Sequence, residues 1–421
     1  MLAAPIDALV SGAIAVAVGG VALFIRLFPR RRRRRIALLV PGADMQAIAD
    51  KFGSLDPYLD DLVDGFFEHA YRFLFCASVN RRIELRDDFT VFSRRVPLRL
   101  FPLTYVGRLV WEMSTLAWRE RVGVIHARDP NFCGAIALAA ARVSNTPFCV
   151  SIHADYDKRF ALDASAGAPT LFGSRHLVRR IEAFVLPRAD RVFPIRAHLA
   201  EDAISRGARP DTVRVTPHGI NLLPIQTWNP AVFSWPSVPD GRRIISFVGR
   251  LSKENYVDDV LEAARRVGRL RRDCVFVLVG GGGEESRLRS AIDDDPVLSD
   301  VVRMVGFQPH ERAIDLRCRS TVNLALMGGF SLIEACAAGH PVIAYDVEWH
   351  NELVQDGVTG FLVREHDIEA LAERVLYLLE TPEATNRMGA AARALAFSRH
   401  ALAEAMAVKS RCYGELLEEA R

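Results

Sequence analysis

Two stretches, ISFVGRLSKEN at residues 245–255 and GGFSLIEACAAGHPVIAYD at residues 328–346, decide the fold. In the first, the apolar run Ile244–Val248 leads into Gly249-Arg250, which sets a cation just past a strand. In the second, Gly328, Gly329 and Ser331 open a helix, and Glu334 sits one turn further in. Glycines allow the backbone conformations that other residues resist and let a ligand approach the main chain. Ser331 reads as the helix N-cap, and the N–H groups of the following turn, with the helix dipole, favour an anion in front of them. Arg250 would meet that anion with a forked, charge-assisted hydrogen bond. A carboxylate only accepts, so ribose hydroxyls suit Glu334. The pattern describes a phosphate cradle with a carboxylate beside it, which fits a nucleotide diphosphate-sugar. A plainer reading uses the same residues: Ser331-Leu332-Ile333-Glu334 is also a capping box, in which Glu334 reaches back to its own helix start.

Outward from these stretches, short apolar runs alternate with helical patterns. Strands are expected at Arg243–Val248, Val275–Val279, Val301–Val305, Val322–Leu326 and Val342–Tyr345, with helices between them and later ones at Ile368–Glu380 and Pro382–Arg399. Upstream, Ile36–Val40 reads as a first strand ending in the tight turn Pro41-Gly42. Asp56–Phe75 looks helical, and Phe89–Leu103 has no clear period. Strands follow at Val122–His126, Phe148–Ile152, Arg191–Pro194 and Val213–Thr216, with helices at Gly134–Val143, Leu177–Leu186 and Ala197–Arg206. Leu222–Asp240 carries Pro224, Pro230, Pro236 and Pro239 and reads as a connection. The alternation predicts an α/β protein of two doubly wound, Rossmann-like domains facing a cleft. The expected segments are 36–222, a linker at 223–240, 241–395, and a C-terminal helix at 396–421 that returns to the first domain. Ligands in such sheets bind at the carboxyl ends of the strands, where Arg250, Gly280–Gly283 and Gly328–Ser331 all fall.

A length of 421 residues, half of them hydrophobic, is enough for two full cores. Six of the 54 basic residues are Arg30–Arg35; without them 48 basic face 51 acidic residues, so the body is mildly acidic and no nucleic-acid surface is expected. Seven scattered cysteines without a CxxC pair read as reduced core residues rather than as a disulfide framework or a metal site. Ala8–Ile25 is apolar apart from Ser11, and Leu27 and Phe28 extend it to the roughly 20 residues that cross a bilayer. Arg30–Arg35 follows at once, so residues 1–35 read as a membrane anchor with a basic juxtamembrane segment. That places the body in the cytosol at the inner membrane. The arginines would also suit anionic lipid head groups.

The order of five segments resembles the retaining glycosyltransferases of the GT-B fold, in the broad family 4 group. They are ADRVFPIRAHLAEDAISRGARPDTVRVTPHGIN (189–221), FVGRLSKENYVDDVLEAA (247–264), FVLVGGGGEESRL (276–288), VGFQPHE (305–311) and GGFSLIEACAAGHPVIAYDVEWHNELVQDGVTGFLV (328–363). The resemblance covers roughly residues 120–400. It implies a nucleotide-sugar donor on the C-terminal domain, a saccharide acceptor mainly on the N-terminal one, and neither metal nor other cofactor. It also implies roles: Arg250 for the donor phosphates, the helix start at Gly329, Ser331 and Leu332 for the distal phosphate, and Glu334 for the ribose. His153, in SIHADYD, resembles the histidine near the sugar, with Asp155 and Gly42 as further contacts to sugar or acceptor. The plainer reading of His153 is a satisfied loop histidine. Two positions depart from the family. Its first glutamate, eight residues before Glu334, is Leu326 here, and its lysine five residues after the arginine is Asn255, with Lys253 or backbone to stand in. Trp349 and His350 follow a late strand and read equally as donor-pocket lining or as packing. The anchor points to a lipid-linked saccharide or glycolipid acceptor in envelope or exopolysaccharide synthesis. A catalytically inactive partner of another transferase, and a nucleotide-sugar epimerase or phosphorylase, remain as rival readings.

Overall fold

The structure, a computed structural model, describes residues 33–40, 66–77, 80–95, 102–157, 175–230, 232–235, 238–239 and 241–419. The expected span at residues 8–28 and the turn at Gly42 lie outside them. Among the described residues no helix is long and apolar enough to cross a membrane. The described residues up to His218 and from Ala405 onward form one compact unit, and Gly219–Glu404 forms the other.

The first unit begins with strands β1 (Ile36–Val40), β2 (His69–Ala77), β3 (Arg81–Arg86) and β4 (Phe89–Arg95). Then come helix α1 (Pro102–Arg119), β5 (Val124–Ala127), α2 (Phe132–Ser144), β6 (Phe148–Ile152), α3 (Arg175–Val185), β7 (Arg191–Pro194) and α4 (Ala197–Ser205). Its seven strands run in the order β3-β4-β2-β1-β5-β6-β7, parallel except for the β3–β4 edge hairpin. Part of the helix expected at Asp56–Phe75 is therefore strand β2. Ala70 and Phe73 point to opposite faces of that strand and both are buried, so no polar alternation marks it as a strand. Val213–Thr216 makes only a single bridge, Val192 to Val213, rather than a full strand; Pro217 follows and offers no N–H.

The second unit holds the short helix α5 (Leu223–Gln226), β8 (Arg243–Val248), α6 (Val257–Leu270), β9 (Cys274–Val279), α7 (Glu285–Asp293), α8 (Pro296–Val301) and β10 (Val302–Gly306). It continues through α9 (His310–Arg319), β11 (Val322–Leu324), α10 (Phe330–Ala337), β12 (Val342–Tyr345), β13 (Gly360–Val363), α11 (Ile368–Glu380) and α12 (Pro382–His400). Its six strands are all parallel, in the order β10-β9-β8-β11-β12-β13. Both faces are buried: Phe276 and Leu278 pack with Ile245, Phe247 and Ile343, while Val275, Val277 and Val279 fill the opposite side. That is why these strands read as unbroken apolar runs. The connection expected at Leu222–Asp240 is pinned to this unit. Asp315, fully buried on α9, accepts from Trp228 Nε1 at 2.8 Å, Trp235 Nε1 at 2.7 Å and Arg319 Nε at 2.7 Å.

Helix α13 (Leu402–Glu419) carries Cys412, Tyr413 and Leu416 onto Val124, Cys149 and Phe193 of the first unit. The six cysteines whose side chains are described are free and buried.

Candidate active site

The strand order of the second unit reverses between β8 and β11, and the loops after these two strands flank the crevice such a reversal opens. Gly249-Arg250 follows β8, and the run from Ala325 to Gly329 leads from β11 into α10. Arg250 is exposed, as is Lys253, which sits in a 3-10 turn with Asn255. Asn255, the departure from the family lysine, braces this loop, since its Nδ2 donates to Arg250 O at 2.9 Å. The glycine run after β9 forms the floor under the loop. Gly249 N donates to Val279 O at 3.0 Å, and Leu251 N to Gly281 O at 3.0 Å. A Cβ on Gly280, whose φ is +143°, would stand 1.8 Å from Gly249 O, and one on Gly282 would stand 2.2 Å from Leu251 O. Gly280 and Gly282 thus let two strand-end loops dock backbone to backbone and so hold Arg250 in place.

At the head of α10 the sequence reading needs correction. The N-cap is Gly329, the helix starts at Phe330, and no side chain caps it. The hydroxyl of Ser331 is engaged elsewhere: it donates to Val248 O at 2.7 Å and accepts from Arg317 Nη2 at 2.6 Å. Neither the serine cap nor the capping box forms. Leu332 is core, with its N–H directed at Gly329 O at 3.2 Å. Glu334 meets two residues of α9. Its Oε1 lies 2.7 Å from His310 Nε2, and its Oε2 lies 3.8 Å from the buried Arg317 Nε. The carboxylate raises the His310 pKa above the ordinary histidine value, against a smaller lowering by burial. Burial lowers the Arg317 pKa, with Glu334 opposing.

His350 resolves the choice left open at the Trp349-His350 pair. It is fully buried, its Nδ1 donates to Tyr345 O at 2.8 Å, and its Nε2 accepts from Gly328 N at 3.0 Å. It packs rather than lines, and it fixes the backbone of the glycine pair. Trp349 is likewise buried. Leu326 is fully buried within the main core of this unit, so the position of the family's first glutamate is occupied by packing.

In the first unit, His153 follows β6 and stacks on His218, with ring centroids 5.5 Å apart. Its Nδ1 is buried without a hydrogen-bond partner among the described residues. Burial first, then Lys409 and His218, push its pKa well below the ordinary value, so the imidazole is neutral at physiological pH. Asp155 Oδ1 accepts from Asp157 N at 2.9 Å, a local turn contact. Asp157 in turn is held by Arg179 at 3.0 Å and Arg206 at 2.5 Å, which anchors the His153 loop to α3 and α4. Sequence reasoning missed Arg317, His310 and the role of His350. For Arg317 a signal existed: it shares the buried face of α9 with Ala313, Ile314 and Leu316, a cation on an apolar stripe.

Two family profiles match this arrangement. Residues 233–395 match "Glycosyl transferases group 1", and residues 55–219 match "Glycosyl transferase 4-like domain". The chain belongs to the group 1, GT4-type glycosyltransferases. The family 4 membership read from the five sequence segments is therefore confirmed, and with it the transfer of a sugar from a nucleotide-sugar. Among curated relatives, the alpha-D-kanosaminyltransferase of Streptomyces kanamyceticus is 28% identical over 365 residues, 78% of this chain and 89% of that protein. The phosphatidyl-myo-inositol mannosyltransferase of Mycobacterium leprae (strain TN) is 26% identical over 307 residues, 70% of this chain and 76% of that one. Among solved structures, Anabaena Alr3699/HepE in complex with UDP superposes with a TM-score of 0.64 at 18% identity, covering 91% of this chain and 99% of that one. The likeness establishes the GT-B fold for this glycosyltransferase.

Proposed function

We propose that this glycosyltransferase moves a hexosyl group, with retention of anomeric configuration, from a nucleotide diphosphate-sugar to a hydroxyl of a lipid-linked saccharide or glycolipid. The observation that carries the reading is the placement of Arg250 and the glycine-opened start of α10 on the two loops that flank the strand reversal. In this reading Arg250 and Lys253, with the main chain from Gly329 to Leu332, hold the diphosphate, and Glu334 holds the ribose. His153 donates or accepts a hydrogen bond at the sugar as a neutral imidazole. Asp155 and Gly42 are further candidates for acceptor contact. No metal is assigned a role; the cations are side chains.

The bond from the sugar C1 to the diphosphate oxygen breaks first and gives an oxocarbenium-like transition state. Arg250 and the helix start stabilise the negative charge that develops on the departing diphosphate. The acceptor oxygen bonds to C1 on the same face, and its proton passes to the departing phosphate oxygen, so no protein base is obligatory. Placement of the acceptor hydroxyl supplies the rest of the acceleration. Residues 8–28, followed by Arg30–Arg35, are proposed as an inner-membrane tether that brings the body to such an acceptor. The mannosyltransferase relative, whose name specifies a phosphatidyl-myo-inositol acceptor, supports a lipid acceptor.

An inactive partner of another transferase is the second reading, and the buried Leu326 favours it. The test is turnover of nucleotide-sugars with lipid-linked and soluble saccharides, with the product anomer read by NMR. An inverted product contradicts retention, and transfer to soluble acceptors alone contradicts the lipid assignment. Release of the chain from membranes by alkaline carbonate contradicts the spanning tether.

A further inference from the structure

Arg317 is 1% exposed, on α9 beside the buried apolar Ala313, Ile314 and Leu316. A buried guanidinium is costly unless it is paired and hydrogen-bonded. Nη2 donates to Ser331 Oγ at 2.6 Å and to Val248 O at 3.2 Å. Nε stands 3.8 Å from Glu334 Oε2, and neither Nε nor Nη1 has a hydrogen-bond partner among the described residues. Val248 O is the last strand carbonyl before Gly249-Arg250, and Ser331 lies in the first turn of α10. One side chain therefore joins both segments assigned to the diphosphate and also faces the carboxylate assigned to the ribose.

We propose that Arg317 is the positioning residue of the donor site. It ties the end of β8 to the start of α10 and lends the diphosphate a positive charge that solvent does not screen. The charge also offsets the carboxylate of Glu334, which would otherwise repel the diphosphate. It restores from beneath a cation of the kind that the site lacks at Asn255. The inference rests on the donor-site reading proposed above.

The experiment is calorimetric titration of the full chain and its Arg317→Lys and Arg317→Met variants with UDP, GDP and ADP, and with uridine, guanosine and adenosine. Thermal melts check that each variant is folded. In Arg317→Met, affinity for the nucleoside diphosphate that the parent binds falls about tenfold or more, while affinity for its nucleoside falls much less. Arg317→Lys keeps the charge but cannot span Val248 O, Ser331 Oγ and Glu334 together, so it falls between parent and Met variant. Diphosphate affinity within about twofold of the parent in a folded variant overturns the proposal. So does an equal loss for diphosphate and nucleoside, which a merely structural role would give. If Arg317→Met does not fold, Arg317→Lys decides by the same two criteria. A parent chain that binds none of the three diphosphates overturns the donor-site reading instead, and that result comes before any variant is compared.

Discussion

Replacing Gly280 by alanine should disable the donor site without touching any residue assigned to the ligand. The added Cβ would lie 1.8 Å from Gly249 O, and φ at this position is +143°. A carbon and a carbonyl oxygen settle at about 3.3 Å, so the two loops must part by about 1.5 Å. The strained backbone conformation alone costs about 1–3 kcal/mol. The displacement falls on the loop that carries Arg250, since Gly249 N and Leu251 N both bond to the Val279–Gly281 backbone. A misplacement of about 1 Å at a positioned group costs about a hundredfold in rate, or about 2.7 kcal/mol. The assay pairs urea unfolding with nucleotide titration and turnover, with Gly283→Ala as control, because a Cβ there meets nothing within 4 Å. Gly280→Ala should lose stability by the backbone term and affinity or turnover by about a hundredfold, while Gly283→Ala changes little. A folded Gly280→Ala enzyme with parental affinity and turnover would refute the argument that loop docking positions Arg250.

Three further outcomes follow from other contacts. Asp315→Ala removes the acceptor of two indole N–H groups and of Arg319, and should cost about 3–5 kcal/mol in urea melts followed by tryptophan fluorescence; a loss below about 1 kcal/mol contradicts it. His350→Ala leaves Gly328 N and Tyr345 O without their partner and should cost about 1–3 kcal/mol while weakening nucleotide binding; unchanged binding would detach His350 from the site. His310, its pKa raised by Glu334, contributes stability that is fully present below about pH 6.5 and is lost as pH rises through its raised folded value. Because its side chain is 60% exposed, the stability difference from His310→Gln should stay under about 1 kcal/mol and be largest in acid; a difference that grows with pH contradicts the pairing.

The parallel sheets were legible because buried strands such as Arg243–Val248 and Val342–Tyr345 are short apolar runs bounded by glycine, proline or charge. β2 was not, since its two buried faces erase the alternation that separates a strand from a helix. In the site, the local motif placed Arg250 and the glycine-opened helix. Ser331 misled because a serine at a helix start has the same sequence signature whether it caps its own helix or bonds across the sheet to Val248. The links of Glu334 to His310, 24 residues away in sequence, and of Gly328 to His350, 22 residues away, depend on the packing of neighbouring elements, which no local pattern encodes. The glycine run looked like a ligand loop, and in the structure Gly280 and Gly282 serve a close approach between two backbones.

The central claim is a live nucleotide-sugar site built around Arg250 and Glu334. Titration of UDP, GDP and ADP into the full chain in detergent, with Glu334→Ala alongside, tests it most directly. The account predicts binding of one diphosphate with a dissociation constant of the order of micromolar, weakened about tenfold or more by the substitution. A folded chain that binds none of them, or binds one equally well without Glu334, would contradict it.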